Sequence, residues 1–281
     1  MSRTVYVNGD FLREEDARIS VFDRGFLFAD GVYEVTSVLR GKLVDNGAHL
    51  ARLRRSLCEL KLDFQKSDAE IEAIQLEMVR RNNLVEGALY LQVSRGVADR
   101  DFAFPANPVP SMVLFTQEKN LAENPAVHRG FSVVTMPDIR WRRRDIKTVQ
   151  LLAPSIAKQA AMDAGADDAW LVEDGFVTEG TSNNAWIIKG GAIITRQLSN
   201  DILHGITRKA VLRLAAEDGL RIEERAFTAD EAKDADEAFV TSATTFVMPV
   251  VSIDGKLIGN GNPGTLTLRL RQLYIEEALK A

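Results

Sequence analysis

Apolar positions alternate with polar ones through Val5, Tyr6 and Val7 and resume at Phe11 and Leu12 beyond Asn8-Gly9-Asp10, a pattern that predicts a hairpin. The β-branched run 31–39, the turn Arg40-Gly41 and the segment Lys42-Leu43-Val44 predict a second strand pair. The spacing then changes to that of helices. Leu50, Leu53, Leu57 and Leu60 share one helical face within 47–61, and Ile71, Ile74 and Met78 share another within 68–81, which Ser67 or Asp68 can cap. Strands are predicted at 88–94 and 111–115, on either side of a proline-containing loop. Beyond a polar stretch with Pro125, strands are expected at 131–136, 169–173, 184–189, 192–195 and 238–242. Helices are expected at 152–164, 207–218 and 264–279.

Helices added to mainly antiparallel strands give an α+β chain. Its length of 281 residues suits two modest domains: a small one over 1–118, a linker over 119–130 and a larger one over 131–281. Hydrophobic content of 46% against 27% charged provides for a large core, and a mixed net charge of -5 argues against a nucleic-acid surface. The opening MSRTVYVNGDFL has no apolar run of the signal-peptide kind, and no stretch is long enough to span a membrane, so a cytoplasmic protein is expected. Cys58, the single cysteine, falls in the first helical pattern, where a small buried hydrophobe is expected.

Candidate chemistry gathers in a few segments. Lys147 stands in Asp145-Ile146-Lys147-Thr148-Val149, where burial would disfavour its charge and free an amine for attack on an aldehyde. Glu179 lies among small hydroxyl and amide residues in Thr178-Glu179-Gly180-Thr181-Ser182-Asn183-Asn184, where a carboxylate can keep a pyridine nitrogen protonated. Gly205-Ile206-Thr207 opens a helical pattern and offers amide N–H groups, a hydroxyl and a helix dipole to an anion. Thr241-Ser242-Ala243-Thr244-Thr245 offers more hydroxyls, and Arg52 a counter-charge. Taken singly, each has an ordinary explanation: a solvated lysine, a turn acid, an N-cap at Thr207, a surface arginine. The run from Arg140 to Arg144 reads first as a solvated strand end.

In order and spacing these segments, together with Asp23-Arg24-Gly25-Phe26-Leu27-Phe28-Ala29-Asp30-Gly31-Val32-Tyr33-Glu34, His49 to Arg52 and Ser94-Arg95-Gly96, resemble the fold-type IV pyridoxal phosphate-dependent aminotransferases, and within them the D-amino acid aminotransferases. The resemblance implies Lys147 as the Schiff-base lysine and Glu179 as the partner of the pyridine nitrogen. It implies Arg52, Ile206, Thr207 and Thr244 at the cofactor phosphate and Leu203 against the ring, all but Arg52 within the larger, cofactor-binding domain. It implies Tyr33 and Arg100 at the substrate carboxylate, with Arg100 supplied by the other subunit of a homodimer whose neighbour completes the active site. The expected reaction passes an amino group between a D-amino acid and a 2-oxo acid.

One departure stands out. Where the D-amino acid enzymes read Arg-x-His, this chain reads Arg100-Asp101-Phe102, one carboxylate donor fewer. Aminodeoxychorismate lyase and branched-chain amino acid aminotransferase are the alternatives within the family. Outside it stands a protein that only binds a phosphorylated ligand, which would need neither Lys147 nor Glu179.

Overall fold

The computed structural model describes residues 2–280, in two compact units. One holds the chain up to Asn120 together with Ile146–Gln150; the other holds Leu121–Asp145 and Leu151–Lys280. In chain order the first contains β1 (Thr4–Val7), β2 (Asp10–Arg13), α1 (Arg24–Phe28), β3 (Gly31–Leu39), β4 (Lys42–Leu43), α2 (Asn46–Glu59), α3 (Asp68–Arg81), β5 (Gly87–Ser94) and β6 (Ser111–Glu118). The second contains α4 (Ala126–Arg129), β7 (Phe131–Pro137), α5 (Leu152–Asp163), β8 (Asp168–Glu173), β9 (Phe176–Gly180), β10 (Asn184–Lys189), β11 (Ala192–Thr195), α6 (Ile206–Glu217), β12 (Arg221–Glu224), α7 (Ala229–Lys233), β13 (Glu237–Ser242), β14 (Phe246–Ile253), β15 (Lys256–Leu257) and α8 (Thr265–Ala278).

In the first unit the strands form an antiparallel sheet in the order β2-β1-β6-β5-β3-β4. Asn8 and Gly9, both at positive φ, make the turn of the first hairpin, as a two-residue turn of this hand requires. Helix α2 buries Leu50, Leu53 and Leu57 and α3 buries Ile71 and Met78 in one core with Leu89 and Leu91 of the sheet. Ser67 and Glu70 form a capping box at the start of α3. Cys58, expected inside, is exposed: it stands off the leucine stripe, next to the last residue of α2.

The segment Ile146–Gln150, expected in the second domain, belongs to the first unit for a local reason. β4 pairs only with Val38 and Leu39, so the edge of β3 at its start is open. Lys147 and its neighbours fill that edge: Tyr33 N donates to Lys147 O (3.0 Å), Val149 N donates to Gly31 O (3.1 Å), and Ile146 enters the core. From Leu121 on, the stretch that reads as a linker belongs to the second unit, where Leu121 is buried and Arg271 of α8 donates to Leu121 O and Ala122 O.

In the second unit the path runs β12-β11-β10-β13-β14-β7-β8-β9. β9 ends this path, yet residues 181–183 alone join it to β10, near the other end, so the sheet curls on itself. Trp170, Val177, Ile187, Val240 and Met248 share the core of that curled sheet.

Candidate active site

In the first unit Lys147 is half-buried, held by its backbone on the β3 edge and by Ser56 Oγ of α2, which accepts from Lys147 N (3.3 Å). Its Nζ lies 4.1 Å from the centroid of the Tyr33 ring. The lysine and the substrate-pocket tyrosine expected from the sequence are thus brought together, because Tyr33 sits in β3 at the register that the lysine segment caps. Within this unit Nζ meets the π face of an aromatic ring instead of a carboxylate, and its amine stays outside any ion pair among the described residues.

Arg52, which a helical arginine's average would put at the surface, is buried. Its Nε and Nη2 donate to Glu34 Oε1 and Oε2 at 2.8 and 2.7 Å, and His49 Nδ1 lies 2.7 Å from Glu34 Oε2. Burial alone would raise the Glu34 pKa, but the charge and hydrogen bonds of Arg52, with His49, bring it down from 4.5 to about 2. Glu34 and His49 are site residues that sequence reasoning misses. A signal for them exists, since Glu34 alternates onto the inner face of β3 where only a paired carboxylate is tolerated.

Arg100 lies in the exposed loop between β5 and β6, its guanidinium 5.5 Å from the centroid of Phe28 and 5.7 Å from that of Phe102. Phe102 is 80% exposed and packs on Phe28 at 5.6 Å.

In the second unit Glu179 is buried on β9, where its sequence surroundings suggest a turn. Its Oε2 accepts from Asn184 Nδ2 and from Leu203 N, each at 3.0 Å, and its Oε1 accepts from Arg140 Nη1. Glu179 and Leu203 therefore meet directly. Arg140, one of a run of arginines that reads as a solvated strand end, is the residue missed here. Asp138 grips it through Nε (2.9 Å) and Nη2 (2.6 Å) and accepts from Thr178 Oγ1 (2.7 Å). Burial works against the Arg140 cation, but Glu179 and Asp138 hold its pKa above the ordinary arginine value. Arg144 extends the network to Glu173 at 2.8 Å.

Helix α6 begins at an N-cap that is Gly205, not Thr207. No side chain caps it, so the first amide N–H groups of a twelve-residue helix have no intrahelical acceptor. Only a residue without Cβ fits at 205, because that atom would fall 2.0 Å from Asn184 Oδ1, the residue that also holds Glu179. At the end of β13, Trp186 Nε1 donates to Thr241 Oγ1 (2.9 Å), and the Ser242 and Thr245 hydroxyls bond each other at 2.8 Å. Thr244 is left as the hydroxyl of that turn with no partner among the described residues.

A cofactor with an aldehyde, a ring nitrogen and a phosphate needs an amine outside an ion pair, a buried acid and an anion cradle. Lys147, Glu179 and the uncapped start of α6 have that chemistry, so the residues fit pyridoxal phosphate.

Comparison with known proteins agrees in kind. Residues 31–253 match the amino-transferase class IV family. The D-alanine aminotransferase of Bacillus licheniformis is 43% identical over 263 residues, covering 94% of this chain and 93% of that protein. That of Staphylococcus haemolyticus is 36% identical over 275 residues, covering 97% and 98%. Among solved structures, the branched-chain aminotransferase of the thermophilic archaeon Thermoproteus uzoniensis with norvaline superposes with a TM-score of 0.87 at 25% identity, covering 100% of this chain and 96% of that one. The Escherichia coli branched-chain enzyme gives 0.92 at 21% identity, with 99% and 95% covered, a likeness of fold alone. By the extent of the family match and of these relatives, the chain belongs to the class IV aminotransferases.

Proposed function

We propose that this chain transfers an amino group between a D-amino acid such as D-alanine and a 2-oxo acid such as 2-oxoglutarate, with pyridoxal phosphate as cofactor. The D-alanine aminotransferases similar to it along nearly their whole length support the substrate class. The observation that carries the chemistry is Lys147, a half-buried amine held over an aromatic ring with its backbone fixed on a sheet edge.

When bound, the cofactor's ring takes up the electron pair left as the substrate Cα–H bond breaks. Lys147 Nζ would hold the cofactor through its aldehyde and, once freed, would be the base that takes the proton from the substrate Cα. Glu179 would accept from the N–H of the ring nitrogen. Its other contacts, Arg140, Asn184 and the Leu203 amide, fix its carboxylate in place for that bond. Leu203 would pack on the ring, and Arg52, Ile206, Thr207 and Thr244 would take the phosphate. Tyr33 and Arg100 receive the substrate carboxylate, so the choice of stereoisomer lies with them and not with Lys147. Phe102 presents a ring where a histidine donor would stand, which favours less polar side chains in the substrate.

The reading includes a homodimer whose partner completes the site, and a cytoplasmic location. Exposed Phe22, Phe26, Phe102 and Val109 on the first unit support a partner surface, and no described helix is long and apolar enough to cross a membrane. Light scattering on the purified protein tests the dimer.

The activity is tested by following pyruvate from D-alanine and 2-oxoglutarate, beside L-leucine and aminodeoxychorismate as substrates. D-alanine is expected to be the best of the three, and a failure with every D-amino acid ends the proposal. A borohydride-sensitive absorbance band near roughly 410 nm separates the enzyme from a protein that only binds phosphorylated ligands.

A further inference from the structure

We infer that Arg24 is the positioning residue that sets the substrate-carboxylate loop, holding Arg100 and Phe102 in place through the backbone on both sides of Phe102. The inference rests on the proposal that Arg100 meets the substrate carboxylate.

The loop at residues 97–110 has no regular structure and its tip is exposed. Arg24 is its opposite, 2% exposed at the start of α1. Arg24 Nη1 donates to Asp101 O at 2.6 Å and to Ala103 O at 3.3 Å, the carbonyls that flank Phe102. The guanidinium is itself fixed: Nε donates to Asp30 Oδ2 at 2.7 Å, and the cation lies 4.6 Å from the centroid of Phe28, the ring on which Phe102 and Arg100 rest.

Charge explains why the grip falls on carbonyls. Asp30 carries one negative charge and faces two buried cations, since Arg95 also donates to it through Nε (2.8 Å) and Nη2 (3.0 Å). One carboxylate cannot saturate two guanidinium forks, so each turns its remaining donors to backbone dipoles. Arg95 holds Leu60 O and Lys61 O beyond α2, at 2.9 and 3.1 Å. Arg24 holds the loop. The same acid thus supports two arginines that reach the loop, Arg95 through the ring of Phe104, 3.6 Å from its guanidinium, and Arg24 through the carbonyls on both sides of Phe102.

The full-length enzyme, loaded with pyridoxal phosphate, is compared as wild type, Arg24→Lys and Arg100→Met. Arg24→Lys keeps the charge and loses the fork. It is expected to raise KM for D-alanine about tenfold with kcat within about threefold, and to speed tryptic cleavage after Arg100 by a similar factor, with cofactor affinity unchanged. Arg100→Met should raise KM in the same way. If Arg100→Met raises KM and Arg24→Lys alters neither KM nor cleavage, the inference is wrong and the function proposed for the loop survives. If Arg100→Met leaves KM unchanged, the carboxylate reading fails and the inference with it. Should Arg24→Lys not fold, Asp30→Glu, which displaces both guanidinium groups, must show faster cleavage after Arg100, and an unchanged rate overturns the proposal.

Discussion

The two units each bury a carboxylate–arginine pair, but with the roles reversed. In the first, Glu34 is the anchor: both its oxygens are taken by Arg52 and His49, and Arg52 is the group proposed at the phosphate. In the second, Arg140 is the anchor: Asp138 fixes it from one side, and Glu179 is the group it presents. A buried ion is expensive unless paired, so each unit stabilises its working charge with an opposite one that has no further task. A working group and its anchor should therefore fail differently when replaced: one loses chemistry, the other loses geometry or stability.

The largest effect is expected outside both pairs. Lys147→Ala should reduce transamination by about 10³-fold or more while leaving Tm within a few degrees, measured by single-turnover amino transfer and thermal melting. In the second unit, Glu179→Gln should lower kcat by about 10²-fold with little change in melting, whereas Arg140→Met strands a buried acid and should lower both kcat and Tm. Equal losses of Tm in the two variants would erase the distinction between anchor and working group.

In the first unit the anchor is read by acid titration. The Glu34 carboxyl is held at about 2 in the fold against an ordinary 4.5, so its contribution is fully present above about pH 4.5 and is lost as the pH falls toward 2. That contribution is on the order of 3 kcal/mol. Glu34→Gln should flatten the stability profile across that window and weaken cofactor binding about tenfold by loosening Arg52, as followed by denaturation at stepped pH and by cofactor titration. A variant with the wild-type acid profile would remove Glu34 from the role of anchor. The smallest effect is expected at Thr207→Val, about threefold in cofactor affinity, because the helix amides remain.

How much of this is readable from the sequence depends on the kind of signal. The leucine stripe of α2, the β3 run and the Lys147 and Glu179 segments are legible, since periodicity and motif order are local. Arg140 is not: five residues with four arginines look like a solvated edge, and only the sheet brings Glu179 to the one that Asp138, two residues before it, also holds. Arg52 sits beside the apolar stripe in sequence and is buried because Glu34, eighteen positions earlier, neutralises it. β9 is hidden by the turn-like composition around Glu179, and β14 by Pro249, which in fact stands opposite Phe239 inside the strand. The place of residues 146–150 is illegible for a similar reason, as nothing local reveals that β4 stops short and leaves an edge to fill.

That borrowed edge has a consequence for biosynthesis. While the first hundred and twenty or so residues emerge from a ribosome, the N–H of Tyr33 has only water to bond, and the place of Ile146 in the core is empty. Closing it joins residues more than a hundred positions apart, a late and entropically demanding step. The nucleophile therefore reaches its station only when the N-terminal fold is completed, and a fragment ending at the apparent boundary would lack the residue that gives the unit its chemistry.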